Sequence, residues 1–109
     1  MQFGTLPFMT TAWDAIPATE HPGASGVARW RTIEAGDLRI RMVDYSPGYV
    51  ADHWCSRGHV LLVLEGELVT ELQDGRVVQL TSGMSYQVAN DTMPHRSSTR
   101  TGARLFIVD

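Results

Sequence analysis

Three of the four histidines and the only cysteine of this 109-residue chain fall in two short stretches, and these are side chains suited to holding a metal ion. The first stretch runs Gly48-Tyr49-Val50-Ala51-Asp52-His53-Trp54-Cys55-Ser56-Arg57-Gly58-His59, and the second is Met93-Pro94-His95-Arg96; His21 stands apart near the N-terminus. His53 and Cys55 are i and i+2 in a strand-like stretch, which points both to one face. His59 opens the next strand after a Ser-Arg-Gly loop. His95 ends a loop far along the chain, where a closed sheet could set it opposite the other three. Imidazole and thiolate together suit zinc, iron, nickel or copper better than magnesium or calcium. The same residues also have a plainer reading. Free cysteine is among the most buried residue types without any ligand role, and an inward histidine is often just hydrogen-bonded. Against that, each unpaired imidazole inside a small barrel would cost about 1–3 kcal/mol, a cost that a shared ion removes. A ligating Cys55 would be a thiolate, and binding would then depend on pH.

Other chemistries find less support. All nine basic residues are arginine, which excludes Schiff-base catalysis, a pyridoxal-phosphate anchor and a Walker-type phosphate lysine. No Gly-x-Ser-x-Gly elbow occurs. Cys55 and His59 match no cysteine-nucleophile motif, and no helix N-terminus is evident to activate the thiol. The net charge of −3 leaves no basic footprint for nucleic acid and no polybasic membrane patch.

The elements that must position these residues are strands. Residues 27–33 alternate as a half-buried strand does, Glu34-Ala35-Gly36-Asp37 turns, and residues 38–45 alternate again. Ser46-Pro47-Gly48 breaks the chain. Residues 59–64 form an apolar run that Gly66 interrupts, and alternation resumes over 67–72. Asp74-Gly75 is the strongest hairpin signal, and strand patterns return at 76–80, at Met84-Tyr86-Val88 and at 104–108. There is no amphipathic helical window. Eight or nine short strands predict an all-β sandwich or barrel, and the length predicts one domain. Residues 1–26 differ from the rest. Three prolines and apolar anchors such as Phe3, Phe8 and Trp13 read as an arm that packs on the body or on a partner subunit, with a helical turn near Thr11–Asp14. A lone cysteine, no signal-peptide pattern and no apolar run near the roughly 20 residues of a membrane helix lead to the expectation of a cytoplasmic protein.

These motifs resemble the cupins. The first cupin motif is matched by Gly48, by His53 at the first histidine, by Cys55 at the second, by His59 at the glutamate position and by Gly75 at the close. The second runs from Gly83 to Pro94-His95-Arg96, with Ala89-Asn90-Asp91 in place of the usual Pro-x-Gly turn. The Asp52-His53-Trp54-Cys55 block, with a histidine before Leu64-Glu65-Gly66-Glu67-Leu68, is similar to the DHCW-motif cupin-fold proteins, and that likeness spans nearly the whole chain.

The resemblance implies a small single-domain cupin β-barrel, a double-stranded β-helix or jelly roll, over residues 1–109, with an N-terminal arm (1–26) and a barrel (27–109). It implies a divalent transition metal held by His53, Cys55, His59 and His95. Replacing the usual three histidines and a glutamate by this softer set points to zinc, iron or nickel rather than manganese. Three histidines and a thiolate around zinc would close a structural site, whereas iron or nickel, or a cysteine that does not ligate, would leave a position for a substrate. Tyr86 lies on the face that points inward in cupins and is a candidate substrate-binding hydroxyl. Arg39 and Arg41 share one face; if that face is inward, Arg41 is a candidate to bind a carboxylate, and otherwise both are solvated. Arg57 and Arg96 flank the ligand positions on loops. A homodimer with a small-molecule ligand is expected, as for small cupins. Two functions stay open: a metal-dependent oxygenase, isomerase or lyase acting on a small polar molecule, or a non-enzymatic ligand carrier or sensor.

Overall fold

The computed structural model describes Gly4 and residues 6–109, so the expected anchor Phe3 lies outside the described residues. A single 3-10 turn, Trp13–Ala15, precedes eight strands: β1 Thr19–Pro22, β2 Val27–Ala35, β3 Leu38–Tyr45, β4 His59–Leu72, β5 Val77–Thr81, β6 Ser85–Val88, β7 His95–Ser98 and β8 Ala103–Val108. All pairings are antiparallel. The expected all-β architecture is therefore present, and among the described residues no helix is long and apolar enough to cross a membrane.

Strand β4 organises the rest. Its first half, His59–Leu62, pairs with β6 on one side, while Val60–Gly66 pairs with β8 on the other. Its second half pairs with β5 and β7. One sheet thus runs β1-β2-β3-β8-β4, and β4 carries the chain over into the second. The crossing is a bulge between Val63 and Glu65, followed by Gly66 at φ +81°. A Cβ at Gly66 would collide with the Gly102 carbonyl, so only glycine fits where β4 bends over the start of β8. Gly66, which breaks the strand pattern in sequence, is therefore a bend within one 14-residue strand.

Between the sheets lies a core of aliphatic side chains, with Val43, Val63, Leu68 and Leu105 fully buried beside Leu61, Leu80 and Ile107. Alternation delivers them. In β8, Ala103, Leu105 and Ile107 point inward and the residues between them do not. The Asp74-Gly75 hairpin forms as predicted. Gly75 adopts φ +97°, and the Arg76 amide donates to Asp74 Oδ1 at 3.0 Å.

Two strands escape the sequence pattern. β1 carries no alternation and forms because the arm pairs along β2, Thr19 opposite Trp30. β7 is four polar residues, His95–Ser98, ordered by pairing with Leu72–Val69 of β4. Ahead of β1, Trp13 meets Phe106 edge-on with ring centroids 6.1 Å apart, and the Arg31 Nε–H donates to the Ile16 carbonyl at 3.2 Å. Phe8, by contrast, stays 98% exposed.

Leu105→Ala should lower unfolding free energy by about 3 kcal/mol through lost burial and a residual cavity. Val77→Ala, on the exposed face of β5, should change it by less than about 0.5 kcal/mol. Urea denaturation of the two variants beside the parent checks both values.

Candidate functional site

The site begins with a backbone contact. Cys55 and His95 form an isolated antiparallel bridge, in which the Cys55 amide donates to the His95 carbonyl at 2.7 Å and the His95 amide to the Cys55 carbonyl at 3.0 Å. Two loops distant in sequence are thereby pinned side by side, and side chains opposite one another in such a bridge share a face. His59, the first residue of β4, joins them because β4 runs beside both β6 and β7. The ligand-type atoms of Cys55, His59 and His95 lie within 4.8 Å of one another.

Hydrogen bonds orient both rings. His95 Nδ1 lies 2.9 Å from the Met93 carbonyl, which can only accept, so Nδ1 carries a proton and in the neutral ring the lone pair is on Nε2. That Nε2 is buried without a hydrogen-bond partner. His59 Nε2 is 2.9 Å from the Tyr86 hydroxyl, while His59 Nδ1 is buried and unpartnered, with Asp109 Oδ2 3.9 Å away. Two buried imidazole nitrogens without partners, next to a thiol, are what a metal ion would satisfy. The donor set present therefore fits a transition metal.

Electrostatics favour the ligating forms of Cys55 and His59. The neighbouring His95 ring pulls the Cys55 thiol below its ordinary pKa against the opposing effect of burial, and Cys55 in turn raises His95. Burial, with help from His95 and the nearby arginines, pushes His59 down to about 4, so its imidazole is neutral at physiological pH. Burial raises the Tyr86 phenol, which stays protonated.

His53 does not join the three. The chain bends at Asp52–His53, so the alternation expected to place His53 beside Cys55 does not apply. Its ring is 75% exposed at the rim of the cavity and lies 2.6 Å from Asp52 Oδ1. Trp54 also borders the rim, with the Arg96 guanidinium 4.8 Å over its ring. The cluster opens on a cavity of about 420 Å³, which Tyr86 and Arg41 both line. The facing of β3 that the sequence left open is thus decided: Arg39, Arg41 and Tyr45 turn inward.

Asp109 is a site residue that the sequence reading missed. Its side chain is 1% exposed and takes a two-pronged contact from Arg39, Nε at 2.9 Å and a terminal nitrogen at 3.0 Å. Arg41 reaches it at 3.1 Å and Arg57 Nε at 3.4 Å. Burial raises this carboxyl, but the arginines outweigh burial and hold it below the usual carboxylate range. Trp30 was missed as well. Its ring stacks with His21, centroids 3.8 Å apart, and the Arg41 guanidinium carbon lies 4.4 Å from its centroid. Neither residue carries a local motif. Each acquires its place through strand pairing, Trp30 between β1 and β3 and Asp109 against Arg39.

No family model matches the sequence. No curated protein matches it either. Solved structures do. An RmlC-like cupin from Shewanella frigidimarina superposes with TM-score 0.72 at 20% identity, over 95% of this chain and 91% of that one. Fe(II)-HppE gives TM-score 0.74 at 18% identity, over 99% of this chain and 61% of that one. A sugar phosphate isomerase from the cupin superfamily, from Silicibacter pomeroyi, gives 0.71 at 19% identity, over 92% and 74%. At such identities the likeness is one of fold.

Asp109→Ala would leave the Arg39 and Arg41 guanidiniums without their carboxylate and should cost about 3 kcal/mol of stability. Removing the more exposed Arg104–Asp44 pair by Arg104→Ala should cost less than about 1 kcal/mol. Thermal and urea melts of the two variants, compared directly, test the ranking.

Proposed function

We propose that this chain, which has the cupin fold, holds a divalent transition metal through Cys55, His59 and His95 and presents it to a small polar molecule in the adjoining cavity. The observation that carries this reading is the set of three donors within 4.8 Å, two of whose nitrogens are buried without partners. Two imidazoles and a thiolate favour zinc, iron or nickel. Such an ion would supply Lewis-acid or redox chemistry. Three protein ligands leave coordination open for substrate, the pattern of catalytic rather than closed structural sites. The chain's own part is to fix the His95 tautomer through Met93, to keep His59 neutral and to shelter the donors behind Tyr86. The likeness of the Asp52–Cys55 block to the DHCW-motif proteins supports counting Cys55 among the ligands, and the fold likeness to Fe(II)-HppE is in keeping with such an ion.

A second reading rests on Tyr86. Its hydroxyl engages His59 Nε2 at 2.9 Å, so part of the imidazole is satisfied by the protein itself. On that reading the cavity is a metal-free carrier or sensor site.

Elemental analysis of untagged protein, prepared without chelator, separates the two. The expected result is close to one zinc, iron or nickel per chain, lost in His59→Ala and His95→Ala and kept in His53→Ala. Cobalt substitution should add a thiolate-to-metal absorption that disappears in Cys55→Ser. No metal after reconstitution with zinc, iron(II) and nickel in turn overturns the metal reading, and loss in His53→Ala overturns the three-residue ligand set.

A further inference from the structure

The cavity beside the three donors carries more positive charge than the metal reading uses. Arg39, Arg41 and Arg57 converge on a single carboxylate, that of Asp109. No other acidic side chain lines this cavity among the described residues. The protein as a whole has a net charge of −3, so this surplus is local. The three guanidiniums are not equivalent. Arg39 is satisfied by its two-pronged contact. Arg41 is only 6% exposed, gives Asp109 one terminal nitrogen and leaves Nε buried without a partner. Arg57 stands half exposed at the rim. Leaving a buried guanidinium short of partners is costly unless something completes it. Trp30 offsets part of that cost, since the Arg41 guanidinium carbon lies 4.4 Å from its ring centroid, but a ring face supplies no hydrogen-bond acceptor for Nε.

Asp109 is not free to move aside. Its backbone exchanges hydrogen bonds with Arg39 at 2.6 and 2.9 Å, which extends the β3–β8 ladder, and its side chain is clamped by the same arginine. Any added anion must therefore sit beside Asp109. The wall it would meet is aromatic. Tyr45 and Tyr49 stack with centroids 4.1 Å apart, and Trp30 lines the same cavity.

We propose that the cavity takes a small organic anion, with its carboxylate or phosphate group held by Arg41 and Arg57 and its flat apolar body laid against Tyr45 and Tyr49. Guanidinium groups suit such oxyanions because their planar fork matches two oxygens at once. The cavity volume of about 420 Å³ falls within the usual range for small-molecule sites, roughly 300–1,000 Å³. With Asp109 Oδ2 3.9 Å from His59, an anion seated here lies next to the donor cluster. The inference rests on the small-molecule reading of the cavity and not on the metal.

Calorimetric titration of the full chain, kept metal-free by chelator, with benzoate, phenyl phosphate and neutral benzamide tests it. At least one anion should bind, and benzamide, with the same ring and no charge, should bind at least about tenfold more weakly. Benzoate alone assigns a carboxylate, phenyl phosphate alone a phosphate ester, and either result supports the proposal. Arg41→Gln and Arg57→Gln should each weaken the anion about tenfold. Arg57→Gln, at a half-exposed rim position, should keep the parent melting temperature and so guards against misfolding of the Arg41 variant. Benzamide binding as tightly as the anions, no binding of either anion at millimolar concentration, or undiminished binding in Arg57→Gln overturns the proposal. Because no metal is present, failure here leaves the three-donor site standing, and failure of the metal reading leaves this result intact.

Discussion

Strand β4 is hydrogen-bonded to four other strands, and it can serve both sheets only because it bends at Gly66. A straight strand would keep all its partners in one sheet. The bulge and positive φ there redirect the second half of β4 towards β5 and β7 while the first half stays beside β6 and β8. The Gly102 carbonyl fills the space where a side chain would stand, so the bend and the packing of β8 form a single constraint. Everything in the site follows from that path. His59 begins the strand, His95 pairs with Leu72 at its far end, and the loop carrying Cys55 is drawn onto β7.

The site sets two polar groups of opposite demand side by side. On one flank, two imidazoles, each with a buried unpartnered nitrogen, stand beside a thiol. On the other, three guanidiniums share one carboxylate and are short of an anion. Asp109 and His59 stand at the seam, 3.9 Å apart. The arginines help keep His59 unprotonated, because a second positive charge beside them is unfavourable. The unpartnered nitrogens of His59, His95 and Arg41 are what the proposed metal ion and small anion together would satisfy.

Much of the architecture is legible in sequence because it is local. Alternation over residues 38–45 and 104–108 marks strands that the structure places there almost residue for residue, and Asp74-Gly75 marks the hairpin between β4 and β5. The donor types are legible too, since imidazole and thiol are properties of the side chains themselves. β1 and β7 are not, because their order comes from the strands they lie against.

What the sequence by itself determined is the class of fold, the turns and the supply of soft donors and arginines. Which of them meet was decided by tertiary structure. The bend at Asp52–His53 takes one histidine out to solvent while the bridge at Cys55 holds its neighbour inside. The inward facing of Arg39 and Arg41 waited on the pairing of β3 between β2 and β8, and the part played by Asp109 waited on the same ladder. The physical reason is that strand pairing is a contact between residues far apart in the chain, and shifting or bending a strand by one residue exchanges the face that looks inward for the one that looks out.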